Sequence, residues 1–360
     1  MRKQWKISAV FLLYIVGLLC STVQTYAAED SSTSENPIGF NYKVIKPENQ
    51  RETNVGYFDL RMTPGQKQTV QVELVNPAAE DVEVEVSLNG AKTNGNGVVE
   101  FGPVGIDKDK SLKYDFVDVV KGPESVVIPA KGTVMVDLTI TMPEVGYDGV
   151  IAGGIQLKKK VDEKEREKQT GVINEYAFMI GMLLTETDTT VLPELELNDV
   201  YAGLRNFRNS IFINFSNVEA AFLESATTEV QITEKDSDAV LYDTKKANMR
   251  IAPNSMVDFP VSMNGEQMTP GEYHATITVT AGDRKWAWDK DFTITDEEAD
   301  KFNDQDVSMV KQEGINWMLI GLIGGSGIVV GLIIFFVVRM INKKKQQKKR
   351  VTKKKKSTRK

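Results

Sequence analysis

The sequence is poor in the two residue types that most often build metal and nucleophilic sites. Its 360 residues include one cysteine, Cys20, and one histidine, His274. A disulfide and a histidine cluster for zinc are therefore excluded. His274 lies on the polar side of an alternating strand pattern, so we expect a half-exposed strand residue and not a member of a Ser-His-Asp triad.

Signature motifs for phosphate, dinucleotide or serine-nucleophile chemistry are also absent from the sequence. The run Asp107–Lys110 has alternate carboxylates, but the glycine and the terminal glutamate of a calcium loop are missing. Carboxylates are abundant elsewhere, and no pattern selects a pair. We expect no catalytic residue, no cofactor and no metal ion, and a wall hydrolase that uses carboxylates alone stays open as an alternative.

Ionisable groups are missing from one long stretch near the end of the chain. The 22 residues Trp317–Val338 carry none, which is enough helix to cross a bilayer about 30 Å thick. The following segment Lys343–Lys360 holds ten lysines, two arginines and no acid. Basic residues flank the cytoplasmic end of membrane helices, so we predict a span from Trp317 to Ile341 with everything before it outside the cell. The basic tail then contacts anionic lipids of the cytoplasmic leaflet and not nucleic acid.

The first 28 residues have the order of a secretory signal peptide. A basic start is followed by an apolar run, Ile7–Cys20, and by small residues around Ala28. Cleavage there would leave a mature chain without cysteine. The exported part would then carry 28 basic against 50 acidic residues, and this excess of negative charge disfavours polyanions as ligands.

Apolar residues alternate with polar ones along several segments of the exported part, as in strands with one buried face. The clearest cases lie in the segments 70–74, 82–88, 134–142, 211–215 and 273–279. Proline and glycine turn signals separate them, and no persuasive amphipathic helix intervenes. We predict an all-β fold of two immunoglobulin-like β-sandwich domains, followed by a single C-terminal transmembrane helix.

The predicted boundaries follow changes in composition. They are a signal peptide 1–28, an N-terminal sandwich 36–160, a C-terminal sandwich 168–296, a stalk 297–314, a membrane helix 317–341 and a cytoplasmic tail 342–360. The charged segment Lys158–Gly171 is either a hinge between the sandwiches or the tip of a long hairpin. We favour a domain boundary here, although composition alone does not decide.

The stretch KWAWDKDFTIT holds two of the four tryptophans. In a strand, Trp286, Trp288, Phe292 and Ile294 share one face. We interpret this as the core face of the second domain, and an aromatic platform for sugar rings is the alternative.

The chain resembles the WxL-interacting protein family of Gram-positive bacteria. The resemblance is carried by MTPGQKQTVQVELVNPAAEDVEVEV, VVIPAKGTVMVDLTITMPEVGYDGVIAGGI, MRIAPNSMVDFPV, TPGEYHATITV and KWAWDKDFTIT, in this order before the apolar segment. It implies an N-terminal peptidoglycan-binding domain, a C-terminal domain for the host surface or extracellular matrix, and WxL-domain proteins as partners. It assigns no binding residues.

These observations predict a non-catalytic, membrane-anchored adaptor or adhesin at the cell surface. We expect partner proteins to dock on an exposed strand edge, because pairing there needs only backbone groups. A chaperone-like assembly domain for surface proteins is the second alternative to the adaptor, beside the hydrolase.

Overall fold

The computed structural model describes residues 38–161, 175–309 and 339–340. Eleven strands and one short helix form the first domain. They are β1 (Asn41–Ile45), β2 (Phe58–Arg61), β3 (Lys67–Val75), β4 (Val82–Gly90), β5 (Lys92–Thr93), β6 (Val99–Glu100), α1 (Phe116–Val119), β7 (Val120–Lys121), β8 (Ser125–Ile128), β9 (Thr133–Thr141), β10 (Ile151–Lys159) and β11 (Ala177–Thr185).

Two sheets face each other in this domain. One has the order β1-β3-β9-β7 and the other the order β2-β11-β10-β4-β8, in which β2 runs parallel to β11. The predicted alternation places Val70, Val72 and Leu74 of β3 in the shared core. The strands expected around residues 70–74, 82–88 and 134–142 are confirmed.

The charged segment between the domains does not separate two folding units. β10 and β11, which flank it, pair in register from Ile151 opposite Leu184 to Lys158 opposite Ala177. The core residues of β11 belong to the first cluster. β11 therefore adds a strand to the first sandwich, on the far side of the predicted limit between residues 160 and 168. The hairpin alternative is correct, and its tip, 162–174, lies outside the described residues.

The second domain is built from the last seven strands and one helix. They are β12 (Leu195–Arg205), β13 (Arg208–Asn217), β14 (Leu223–Glu234), β15 (Val240–Ile251), β16 (Ser255–Ser262), β17 (Gly271–Ala281), β18 (Arg284–Ile294) and α2 (Asp296–Gln305). A sheet β12-β13-β16 packs on a sheet β15-β14-β17-β18 around a second core. Ile213, Phe215 and Ile277 are fully buried there, as their alternation predicts.

The predicted stalk is in part a docked helix. Thr295 caps α2 with its hydroxyl, which accepts from the Glu298 amide, and the Glu298 carboxylate accepts from the Thr295 amide. Ala299 lies in the second core. The first part of the predicted stalk 297–314 is therefore helical and packs on the second domain, and residues 310–314 lie outside the described part of the chain.

Within the described part of the chain, no helix is both long and apolar enough for a membrane crossing. The predicted span Trp317–Ile341 falls outside this part except at Arg339 and Met340. The predicted signal peptide 1–28 and the tail 342–360 also lie outside it.

Candidate functional site

His274 sits on the exposed face of the β17–β18 pair. Its Nδ1 is 2.7 Å from Asp291 Oδ1 and its Nε2 is 3.4 Å from Asp289 Oδ1. The hydrogen bond to Asp291 raises the pKa of the imidazole above its ordinary value, and Asp289 adds to this effect. The side chain is one-third exposed, which fits the half-exposed position that its parity predicts.

The tryptophan face of β18 is core. Trp286, Phe292 and Ile294 are buried, and Trp288 packs against the same cluster with its ring stacked on Phe215. Trp286 Nε1 also donates to Glu194 at 2.9 Å. The core interpretation is confirmed, since these rings face inward.

Asp109, from the run of alternate carboxylates, is 5% exposed and lies between the two domains. Its carboxylate accepts from the Ser216 hydroxyl of β13 and from the Ser111 amide. Within the described residues, no group of three histidine, cysteine or acidic side chains could hold a metal ion. The structural role of Asp109 is to join the domains.

Further polar contacts complete the joint between the domains. Thr93 and Ser255 are almost fully buried, and their hydroxyls lie 2.6 Å apart. The Thr93 hydroxyl also accepts from the Ala252 amide at 2.9 Å, and Asn254 donates to the Ser111 carbonyl at 3.2 Å. Each buried polar group therefore has a partner in the other domain, as a stable interface requires.

The turn between β5 and β6 reaches into the second domain. The Arg250 amide donates to the Gly97 carbonyl at 2.8 Å. A Cβ on Gly97 would lie 2.4 Å from the side chain of Met249, and one on Gly95 would lie 2.4 Å from the Asp258 carbonyl. The NGNG turn signal therefore marks a close approach of two domains as well as a turn.

Two concave surfaces border this joint. The first is a cleft of about 480 Å³ with both charged and apolar lining residues, between the loops that follow β4 and β6 and the start of β16. Lys108 and Asp115 form an ion pair of 2.5 Å at its wall, and Asp115 also accepts from the Val117 amide at the start of α1. The hydrogen bond that Lys108 donates to the Asp115 carboxylate raises the pKa of the lysine. Two of the charges that line the cleft, Lys108 and Asp115, are thus paired with each other.

The second concave surface is an apolar groove of about 420 Å³, which we call the junction groove. Most of its lining belongs to the first domain, and Phe222 and Arg250 of the second domain close one side. The lining residues are Gly56, Tyr57, Phe101, Met179, Gly181, Leu183, Phe222 and Arg250. The Arg250 guanidinium lies 4.2 Å from the centre of the Phe222 ring, and its Nε donates to Glu224 at 2.7 Å.

The groove is apolar because the outer face of β11 is apolar. Met179, Gly181 and Leu183 point away from the core and alternate with the buried Ile180 and Met182. Met179 is 38% exposed. A strand with apolar residues on both faces, at the rim of a concave surface, is typical of an interaction site.

Two glycines shape the bottom of the groove. Gly181 pairs with Gly154 of β10 across the sheet. A Cβ on Gly154 would lie 2.6 Å from Phe101, so this glycine lets the Phe101 segment pack flat on the sheet. A Cβ on Gly181 would find its nearest neighbour, Tyr57, at 3.7 Å, an ordinary van der Waals contact, so Tyr57 borders this glycine without crowding it.

Some sheet edges carry lysines, whereas the outer strands β2, β8, β12 and β16 carry none. Among the described outer strands, β15 presents Lys245 and Lys246, β1 presents Lys43, and β18 presents Lys285 and Lys290. Edge lysines weaken strand addition. The expectation of docking on an edge stays a prediction, and the geometry gives stronger support to the groove.

Sequence reasoning missed the junction groove. The signal was present as GVIAGGIQL and YAFMIGMLL, two strands whose outward positions are glycine or apolar. It was not usable, because Tyr57, Phe101 and Phe222 come from separate parts of the chain and only the fold brings them together.

Solved structures similar to this chain include bacterial chaperones. The YadV chaperone is 11% identical, with 71% of this chain and 100% of that chain covered and a TM-score of 0.28. The class 5 fimbriae chaperone CfaA is 13% identical, with 69% of this chain and 99% of that chain covered and a TM-score of 0.28. The E. coli chaperone DraB is 10% identical, with 71% of this chain and 97% of that chain covered and a TM-score of 0.26. No curated protein matches the sequence.

Two family models match the chain in tandem. Residues 40–159 match the peptidoglycan binding domain of the WxL Interacting Protein family, and residues 167–304 match its host binding domain. Together they cover more than half of the 360 residues, in the order that the sequence resemblance implies. The chain belongs to the WxL Interacting Protein family, with a peptidoglycan-binding domain followed by a host-binding domain.

Proposed function

We propose that this protein is a non-catalytic adaptor at the bacterial cell surface. A signal peptide exports it, and the span Trp317–Ile341 anchors it in the cell membrane with the basic tail inside. Its two immunoglobulin-like domains bind WxL-domain proteins and peptidoglycan of the wall, and host extracellular matrix beyond it. The family membership and the charge pattern support this proposal.

The junction groove is the observation that carries the adaptor role. It is open and apolar, and its walls come from both domains. A partner bound there contacts the two domains at once. Interfaces of this kind obtain most of their affinity from a few apolar and aromatic side chains buried in such a groove.

The family description supplies the partner chemistry. In WxL, a tryptophan and a leucine are two positions apart, so in an extended strand both side chains point to the same face. Gly181 lies at the bottom of the groove, and Tyr57, Met179 and Phe222 line its sides. This arrangement suits the insertion of one large ring and one branched aliphatic side chain. We infer that the groove takes such a segment of a WxL-domain protein.

Capture of surface proteins by the exported fragment 29–314 tests this function. Met179→Glu places a charge in the groove, and we expect it to abolish capture of WxL-domain partners. Met135→Glu is the matched control, because Met135 is also a strand methionine, is 39% exposed and lies on the other sheet of the domain. We expect Met135→Glu to leave capture unchanged.

Equal capture of WxL-domain partners by both variants would show that the docking site does not lie in the groove. Failure of the folded wild-type fragment to capture any neighbouring surface protein would contradict the adaptor role itself. Release of soluble products from purified peptidoglycan by the same fragment would instead favour the hydrolase.

A further inference from the structure

The end of the second domain that holds the tip of the β12–β13 hairpin carries exposed apolar side chains. The hairpin β12–β13, the start of β15, the end of β18 and the segment after α2 all meet there. Phe207 and Val307 are each 68% exposed, Val240 is 47% exposed and Leu241 is 41% exposed. Four such residues at one end of a strongly acidic domain need a binding partner to explain them.

Phe207 occupies a strained position at the tip of the β12–β13 hairpin. Arg205 pairs with Arg208, and the two residues between them, Asn206 and Phe207, have φ values of 50° and 58°. Two-residue turns of this kind prefer glycine or asparagine at both positions, and a bulky side chain there is strained. The strain indicates that the exposed ring has a use other than stability.

The chain leaves the domain beside this ring. The Val307 amide donates to the Phe207 carbonyl at 2.9 Å. Asp306 is 5% exposed, and its carboxylate accepts from the Asn209 amide and the Ser308 amide, each at 2.7 Å. We call this arrangement the exit clasp. It fixes Val307 next to Phe207, so the two apolar side chains form one patch.

The distance from the patch to the predicted membrane span is short. The described part of the second domain ends at Met309, and only the seven residues 310–316 precede Trp317. Ten Cα–Cα steps separate Val307 from Trp317, and ten residues reach at most about 36 Å when fully extended. The patch therefore lies within about 36 Å of the start of the predicted span.

One arginine next to the patch suits a lipid surface. Arg208 is exposed, whereas Arg205 donates to Asn96 of the first domain at 2.8 Å. Asp236, Asp238 and Asp304 are also exposed at this end of the domain, so contact with lipid depends on the apolar side chains together with Arg208. Arginines beside an exposed aromatic ring are typical of segments that rest at a membrane interface.

We propose that the exit clasp and the hairpin tip form a contact site for the phospholipid surface of the outer leaflet. Phe207 and Val307 enter the interfacial region, and Arg208 lies against anionic headgroups. This inference rests on the proposed membrane anchor. It adds that the second domain stands directly on the bilayer in a fixed orientation and is not free on a tether.

Spin labels in the full chain, reconstituted in phosphatidylglycerol and phosphatidylcholine vesicles, test the proposal. With Cys20→Ser as background, single labels are placed through Val307→Cys and Ala130→Cys. Ala130 is exposed in the turn before β9, at the end of the first domain away from the second. We expect the label at 307 to collide severalfold more with membrane-dissolved oxygen, relative to a water-soluble nickel complex, than the label at 130.

A second variant separates membrane contact from folding. Asparagine tolerates the positive φ of position 207 better than phenylalanine does. If Phe207 had only a structural role, Phe207→Asn would give an equal or higher melting temperature and would leave the water accessibility of the label at 307 unchanged. The membrane contact predicts a preserved melting temperature together with a severalfold rise in water accessibility at 307.

The outcomes are distinct. A chain that floats with the vesicles while labels 307 and 130 are equally accessible to water overturns the contact site and leaves the anchor in place. A chain that does not float with the vesicles overturns the anchor, and the contact site with it.

Discussion

Trp288 connects the last strand of the second domain to the sheet opposite. Its ring stacks on Phe215 with centroids 6.3 Å apart. Trp288→Ala removes this contact and leaves a cavity, so we expect a loss of about 3 kcal/mol in the free energy of unfolding. Urea unfolding of the fragment 29–314 measures it.

Thr293→Ala is the control for Trp288→Ala, because Thr293 lies on the exposed face of the same strand. We expect Thr293→Ala to change the stability by less than about 0.5 kcal/mol. A Trp288→Ala fragment that kept full stability and lost only sugar binding would restore the platform interpretation.

His274 gives a pH dependence with a defined sign. The Asp291 and Asp289 carboxylates raise its folded-state pKa above the ordinary 6.5, so folding favours the protonated ring. The stabilisation is fully present below pH 6.5 and is lost as the pH rises through the raised pKa. Because His274 is the only histidine, its single Hε1 resonance reports the titration directly. We expect a midpoint above 6.5.

Asp291→Asn removes the largest cause of the raised pKa. The midpoint of His274 should then fall toward 6.5, whereas Asp300→Asn on α2 should leave it unchanged. A wild-type midpoint at or below 6.5 would show that the ion pair does not form in solution.

Individual core residues were predictable, and their polar partners were not. Parity alone placed Trp286 and Ile294 inside, because burial follows the period of a strand. The Thr93 hydroxyl, by contrast, meets Ser255 at a separation of 162 positions. No local pattern encodes that contact, since it depends on how two complete domains meet.

At the scale of elements, the β5–β6 turn is the piece that holds the domains together. Gly97 has a φ of 67°, and a Cβ there would collide with Met249. We expect Gly97→Ala to weaken the contact between the domains, because both the backbone and the packing oppose it. Calorimetry of the fragment 29–314 should show two separated unfolding transitions in place of one.

Gly105→Ala is the matched control for that turn. A Cβ on Gly105 would have no atom within 4 Å, so a single transition at the wild-type temperature is expected. A single unchanged transition for Gly97→Ala as well would show that Asp109 and Thr93 hold the domains together without the turn.

The strands were easier to predict than the way in which they connect. Alternation identified several strands of both domains, but the charged segment Lys158–Gly171 looked like a linker. Composition cannot separate a hinge from a hairpin tip, because both are solvated and polar. Only the pairing of β10 with β11 decides between them. α2 was missed for a related reason, since one buried alanine in ten residues leaves little apolar period.

For the whole molecule, the proposed orientation predicts which part a protease can reach. A protease added to intact cells should digest the acidic domains and spare the basic segment Lys343–Lys360, because the membrane shields it. Immunodetection of a tag at each end measures this, and cells permeabilised with detergent serve as the control. Digestion of the basic segment in intact cells, with the domains spared, would reverse the orientation.

The path of the chain through the second domain also sets its response to pulling. β12 begins beside the first domain, and the exit clasp lies at the opposite end, after β18 has run the same way. Tension between a captured partner and the cell envelope would therefore act along the strands and load the hydrogen bonds between neighbouring strands in shear. Many hydrogen bonds must then break together, not one by one as in unzipping, and this favours a domain that stays folded on a surface exposed to flow.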